Sequence, residues 1–154
     1  MGKPKSQKRI LAIASAGGHW QQLMLLQPAF AHHDIRYITT LKGLAEQSGV
    51  QPAYVVPDCN RDTPLRAIRS VISIAYRVII LRPDIIISTG ALPGVIALAC
   101  GRAIKARTIW VDSVANAEEM SASGTLARRF ADLWLSQWPD VAQKSGAEYA
   151  GAIL

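Results

Sequence analysis

Short apolar runs of strand length recur along this chain with helix-length segments between them, and few folds accommodate that rhythm. Residues 9–15, 35–40, 53–56, 84–88, 107–111 and 133–137 read as strands. The segments at 20–31, 43–47, 63–81, 94–104 and 124–131 read as helices. The strand runs are dominated by Ile, Val and Leu without polar alternation, the pattern of parallel strands buried on both faces. Strands and helices taking turns predict an α/β domain, a Rossmann-like parallel sheet of about six strands with helices on both faces. The linkers are short, and no internal repeat or Pro/Gly/Ser-rich hinge divides the chain. Residues 9–154 therefore read as one domain behind a basic tail, residues 1–8, that contains Lys3, Lys5 and Lys8. That tail is either a solvated end or a contact for anionic lipid.

Composition narrows the partners. The formal net charge of +6 and the pI of about 9.7 favour something anionic: nucleic acid, phospholipid or a phosphorylated substrate. Aromatic residues make up only 6% and no basic run is interleaved with stacking side chains, so a nucleic-acid partner is not expected. Cys59 and Cys100 are far apart and lack metal-ligand spacing, and no secretory signal is read ahead of them. A reducing cytoplasm, no metal and no cofactor are the expectations.

In an open parallel sheet, ligands bind beyond the carboxyl ends of the strands, where the strand order reverses. With the order 3-2-1-4-5-6, the reversal sets the loop Ser15-Ala16-Gly17-Gly18-His19 beside Thr89-Gly90-Ala91-Leu92-Pro93-Gly94. Gly17 and Gly18 suit a sharp turn whose N–H groups face a phosphate, with a plain tight turn as the competing reading. A dinucleotide site is disfavoured: the G-x-G-x-x-G spacing is absent, and the second strand ends in Thr39-Thr40 where such sites carry an acid. His19 begins the following helix, placed to accept a proton from an attacking hydroxyl or to bond a diphosphate; a locally satisfied helix-start residue is the alternative. Thr89, Gly90, Pro93 and Gly94 form a second candidate anion-binding helix start, although capping alone explains such residues. Asp112, after the fifth strand, is a candidate base or sugar-hydroxyl contact, or a cap. Glu118 is either solvated or turned to the cleft. His32-His33 suits a helix C-terminus and has no assigned function. Trp110 and Trp134 read as core, and Trp138 as near the cleft mouth or a partner surface.

The 63–81 segment is unusually apolar. Arg66, Arg69, Ser70, Ser73 and Arg77 fall within one wedge of about 100°, and almost everything outside it is aliphatic. Three arginines make a spanning helix unfavourable. Two readings remain: an interfacial helix with Arg66, Arg69 and Arg77 at headgroup phosphates, or a packed helix with a solvated arginine stripe.

In order and spacing, Ile13-Ala14-Ser15-Ala16-Gly17-Gly18-His19, Ile87-Ser88-Thr89-Gly90 with Pro93-Gly94, Asp112-Ser113, Ala131-Asp132-Leu133 and Gln137-Trp138-Pro139 resemble one family. It is the asparagine-linked glycosylation protein 14 family with its bacterial exopolysaccharide and capsule counterparts. The chain also resembles the N-terminal half of the enzyme that adds N-acetylglucosamine to the lipid-linked peptidoglycan precursor. The resemblance implies the N-terminal half of a GT-B glycosyltransferase, a subunit active with a partner that binds the UDP-sugar. This half would hold a lipid-diphosphate-linked saccharide at the cytoplasmic face of the plasma membrane, as a peripheral protein in polysaccharide biosynthesis. Gly17, Gly18, His19, Thr89 and Gly90 would then line the acceptor cleft, and the apolar ending 150–154 is either a partner contact or a frayed tail. Where the family often has Glu-Ser followed by an arginine, this chain has Asp112-Ser113 and Asn116. Eukaryotic members carry an N-terminal anchor without a counterpart here, so attachment is expected through helix 63–81 and the basic tail. Two other functions stay open: a non-catalytic scaffold recruiting a catalytic partner to the membrane, and a free-standing nucleotide-binding enzyme.

Overall fold

The computed structural model describes residues 6–59 and 62–153; Lys3 and Lys5 of the basic tail and the final Leu154 lie outside them. Among the described residues, seven strands form one sheet: β1 (Arg9–Ile13), β2 (Asp34–Thr39), β3 (Ala53–Val55), β4 (Ile85–Ser88), β5 (Arg107–Val111), β6 (Leu133–Ser136) and β7 (Glu148–Tyr149). Their order is β3-β2-β1-β4-β5-β6-β7, and every neighbouring pair is parallel. The reversal falls between β1 and β4, as the strand order 3-2-1-4-5-6 requires. Only β7 is new. It is a two-residue exposed edge, too short to leave an apolar run in the sequence.

Helices α1 (Gly18–Leu25), α2 (Leu44–Gln47), α3 (Pro64–Leu81), α4 (Ala91–Ala103), α5 (Ala122–Ala127) and α6 (Pro139–Ser145) connect the strands. The expected 20–31 helix is shorter: α1 ends at Leu25 and a 3₁₀ turn, Gln27–Phe30, follows with Pro28 near its start. Proline cannot donate to the helical ladder, which breaks the run there. Helix α4 begins at Ala91, ahead of the expected start, with Pro93 in its first turn, where a missing N–H costs nothing. Helix α6 was not anticipated, yet Pro139 at its start, Asp140 in the first turn and Gly146 closing it at φ 79° are all helix signals.

Successive residues of β1 point to opposite faces, so Leu11 and Ile13 join one core and Ile10 and Ala12 the other. The first core holds Ile74 and Val78 of α3, Leu98 of α4 and Trp110. The second holds Trp20 and Leu23 of α1 with Phe30, Tyr37 and Ala45 of α2. Each Ile, Leu, Val or Phe among them, fully buried, contributes roughly 1.5–3 kcal/mol by leaving water. Trp110 and Trp134 are core, as read; Trp138 is 37% exposed, with its indole N–H donating to the Val114 carbonyl at 2.7 Å.

Candidate active site at the strand-order reversal

The β1–α1 and β4–α4 loops meet at the carboxyl edge of the sheet through a reciprocal pair of hydrogen bonds. The Thr89 hydroxyl donates to the His19 carbonyl at 2.6 Å, and His19 Nδ1 lies 3.1 Å from the Thr89 carbonyl. A carbonyl oxygen can only accept, so Nδ1 carries a hydrogen, and the tautomer this bond selects has its lone pair on Nε2. Thr89 is fully buried, which fixes the second loop, whereas His19 is half-buried and reaches the surface.

The glycines do different jobs. Gly17 caps α1 at φ 77° and ψ −142°, a sparsely populated region that costs other residues about 1–3 kcal/mol. A Cβ added at Gly17 or Gly18 would meet nothing within 4 Å, so the space in front of this turn is open. At Gly90, φ 149°, a Cβ would fall on the His19 ring; only glycine lets the imidazole lie against this loop. The next residue, Ala91, holds φ 66° at the first position of α4, an uncommon conformation of the kind found where a binding loop is held taut. Helices α1 and α4 both start here, and the first N–H groups of a helix lack intrahelical acceptors, which favours an anion between them.

Other expected site residues are placed differently. Pro93 and Gly94 are buried in the first turn of α4 and face the sheet: a Cβ on Gly94 would strike Ser88, with the Trp110 ring 3.2 Å away. They set how closely α4 approaches β4 and do not line the open space. Asp112, expected as a base, is 2% exposed and its carboxylate is fully engaged. Oδ1 accepts from Trp110 Nε1 at 3.1 Å and Ser121 Oγ at 2.6 Å, and Oδ2 from Asn116 Nδ2 at 3.1 Å and the Ser121 N–H at 2.9 Å. A carboxylate with four donors has no free lone pair for a substrate proton, so Asp112 organises the 112–121 loop. Glu118 is exposed on that loop, and among the described residues no hydrogen bond or ion pair joins it to His19 or Thr89. Reading the sequence assigned no role to Gln22 or to Gln137, buried polar residues at the same edge. Gln137 stood there only as part of the Gln137-Trp138-Pro139 motif, and a polar side chain within a core-like run was the signal for Gln22.

The carboxylates with shifted acidity lie at the opposite edge. Asp84 is held below the usual range by hydrogen bonds from Arg9, and Asp132 by the Thr108 N–H, then by the Thr108 hydroxyl and Arg102. A cavity of about 650 Å³ also opens there, between the 3₁₀ turn and the starts of β2 and β3, lined in part by His33, Asp34 and Tyr37. It is remote from His19.

Helix α3 buries only a narrow face, Ser70, Ile74 and Val78, half-buries residues flanking it such as Ala67 and Leu81, and shows much of its apolar surface. Leu65, Ile68, Ile72, Tyr76, Ile79 and Ile80 are all more than half exposed. Arg66 and Arg69 are exposed beside this apolar strip. Arg77 departs from the expected outward stripe: it is half-buried, its guanidinium 4.3 Å from the centre of the ring of Tyr54 in β3. Among the described residues no helix is long and apolar enough to cross a membrane.

This arrangement defines a class, the N-terminal half of the GT-B fold. The crystal structure of MurG from Acinetobacter baumannii superimposes with a TM-score of 0.72 over 94% of this chain and 44% of that one, at 14% sequence identity. Within that class the chain belongs to the family described as oligosaccharide biosynthesis protein Alg14 like, whose family model matches residues 49–153. Thr89, Gly90 and Asp112 fall inside the matched stretch; Gly17, Gly18 and His19 precede it. The UDP-N-acetylglucosamine transferase subunit ALG14 of Mus musculus is 24% identical over 98% of this chain and 85% of its own. That of Eremothecium gossypii is 33% identical over 55% of this chain, the match spanning 41% of the relative. The chain thus spans less than half of MurG and of the Eremothecium protein.

Proposed function

We propose that this chain is the acceptor-binding, membrane-associated subunit of a two-component glycosyltransferase that transfers a sugar from a UDP-sugar to a lipid-diphosphate-linked saccharide. The observation that carries this reading is the His19–Thr89 pairing across the strand-order reversal, with Nε2 left as a base beside an open glycine turn. The names of the family relatives, UDP-N-acetylglucosamine transferase subunits, support the reaction class. In this scheme the acceptor diphosphate lies at the starts of α1 and α4. His19 Nε2 takes the proton of the acceptor hydroxyl as its oxygen bonds to the anomeric carbon; the bond from that carbon to the UDP oxygen breaks and the configuration inverts. The donor site belongs to a partner subunit. The outward apolar strip of α3, with Arg66 and Arg69 at phosphates, lies on the cytoplasmic face of the plasma membrane as a peripheral contact.

The test is reconstitution with the donor-binding partner. A positioned general base contributes about 10²–10⁴-fold. His19→Ala is expected to lower the turnover of the pair by that order while complex formation and melting temperature stay at wild-type values. Turnover within about twofold of wild type would leave the recruitment-scaffold reading in its place.

A further inference from the structure

Two buried glutamines join the loops at this edge into one chain of hydrogen bonds. Gln22, in α1, uses every position of its amide. Its Nε2 donates to the Gly18 carbonyl at 3.3 Å and to Ser113 Oγ at 3.1 Å. Its Oε1 accepts from the Val114 N–H at 3.0 Å and from Gln137 Nε2. The second Nε2 hydrogen of Gln137 goes to the Asp112 carbonyl at 2.8 Å, and its Oε1 accepts the Ile153 N–H at 2.7 Å. The glutamines are 6% and 3% exposed and 115 residues apart in sequence. The Ile153 side chain packs on the second core, so the last described segment is anchored by both backbone and side chain.

A primary amide offers two donors and two acceptors in one plane, and Gln22 needs all four. An apolar pair of equal volume would fill the space without demanding satisfaction, whereas hydrogen bonds fix direction as well as distance. Here the directions matter because Gly18, held at one end of the chain of bonds, is the residue before His19, and residues 150–153 lie at the other end.

We infer that Gln22 and Gln137 are positioning residues that couple the seating of residues 150–153 to the first turn of α1, and so to the geometry of Gly18 and His19. The inference rests on the proposed function only in taking that turn as the acceptor site. A protein that grips the terminal segment then acts on the acceptor turn without touching it, which makes partner binding a regulator of this wall of the cleft.

Hydrogen exchange on the purified chain tests the coupling without any activity. Gln137→Leu and a chain ending at Gly151 remove the bond to Ile153 by different routes. In both, amides of residues 15–22 are expected to exchange at least about tenfold faster, while those of β4 and α3 change by less than about twofold. Unchanged exchange at 15–22 in either variant overturns the inference, and so does an acceleration spread evenly over the sheet. In the reconstituted pair, Gln137→Leu is expected to raise KM for the acceptor with KM for the donor unchanged; equal effects on both count against a positioning role. A responsive turn in a chain whose wild-type pair is inactive would uphold the coupling and sink the proposed function. An active pair with an unresponsive turn would do the reverse.

Discussion

The tautomer of His19 depends on one carbonyl, and the place of its ring on the absence of one methyl group at Gly90. Gly90→Ala keeps every functional group in the cleft yet displaces the imidazole. A shift near 1 Å costs about 10²-fold in a positioned reaction, so turnover of the reconstituted pair should fall by that order with His19 intact; a pair at wild-type rate would show that the ring is not held for catalysis. Asp132 belongs to stability. Its pKa is lower in the folded chain than in the unfolded one, so its contribution is present above the ordinary carboxylate value and is lost as pH falls through the depressed folded value. Asp132→Asn is expected to cost about 1 kcal/mol at neutral pH, allowing for solvent screening, and to flatten the acid limb of a pH–melting curve; an acid limb as steep as wild type would contradict this. The placing of His19 and Gly17 at the strand-order reversal was legible because a histidine beside paired glycines at a strand end is a local pattern, and Gly90 faces them from the second such strand end. The role of Asp112 was not. Its position after β5 was visible, but convergence of Trp110, Asn116 and Ser121 on one carboxylate is a three-dimensional fact.

Among the elements, the six longer strands were legible because buried parallel strands leave uninterrupted apolar runs, and their order followed from the fold class rather than from the runs themselves. Helix α6 and strand β7 were not legible: α6 buries only Val141 and Ala142, and β7 is two exposed residues, so neither leaves an apolar run. Helix α3 shows a subtler limit. Its pattern gave the helix and a wide apolar arc, but the sheet and α4 take up only a narrow face, so much of that arc is outside and Arg77 is turned in on Tyr54. Burying Ile72 in acyl chains is worth about 2 kcal/mol. Ile72→Glu should therefore cut partitioning onto anionic vesicles by more than about tenfold, with the melting temperature nearly unchanged because Ile72 is 64% exposed. Equal sedimentation of variant and wild type with such vesicles would take α3 out of any membrane contact.

At the scale of the whole molecule, one Rossmann-like domain presents an open edge with a half-buried histidine, a glycine turn and two helix starts, and it superimposes on 44% of a MurG chain. A sugar-transfer cleft of the GT-B kind has two walls, and under the proposed function this chain supplies the wall that meets the diphosphate-linked acceptor. The most direct measurement is equilibrium binding by the isolated chain of two ligands: a lipid-diphosphate saccharide in vesicles and UDP-N-acetylglucosamine in buffer. The account predicts saturable binding of the first, weakened by Gly17→Val, and none of the second until the partner is added. Tight binding or turnover of the UDP-sugar by this chain alone would contradict it.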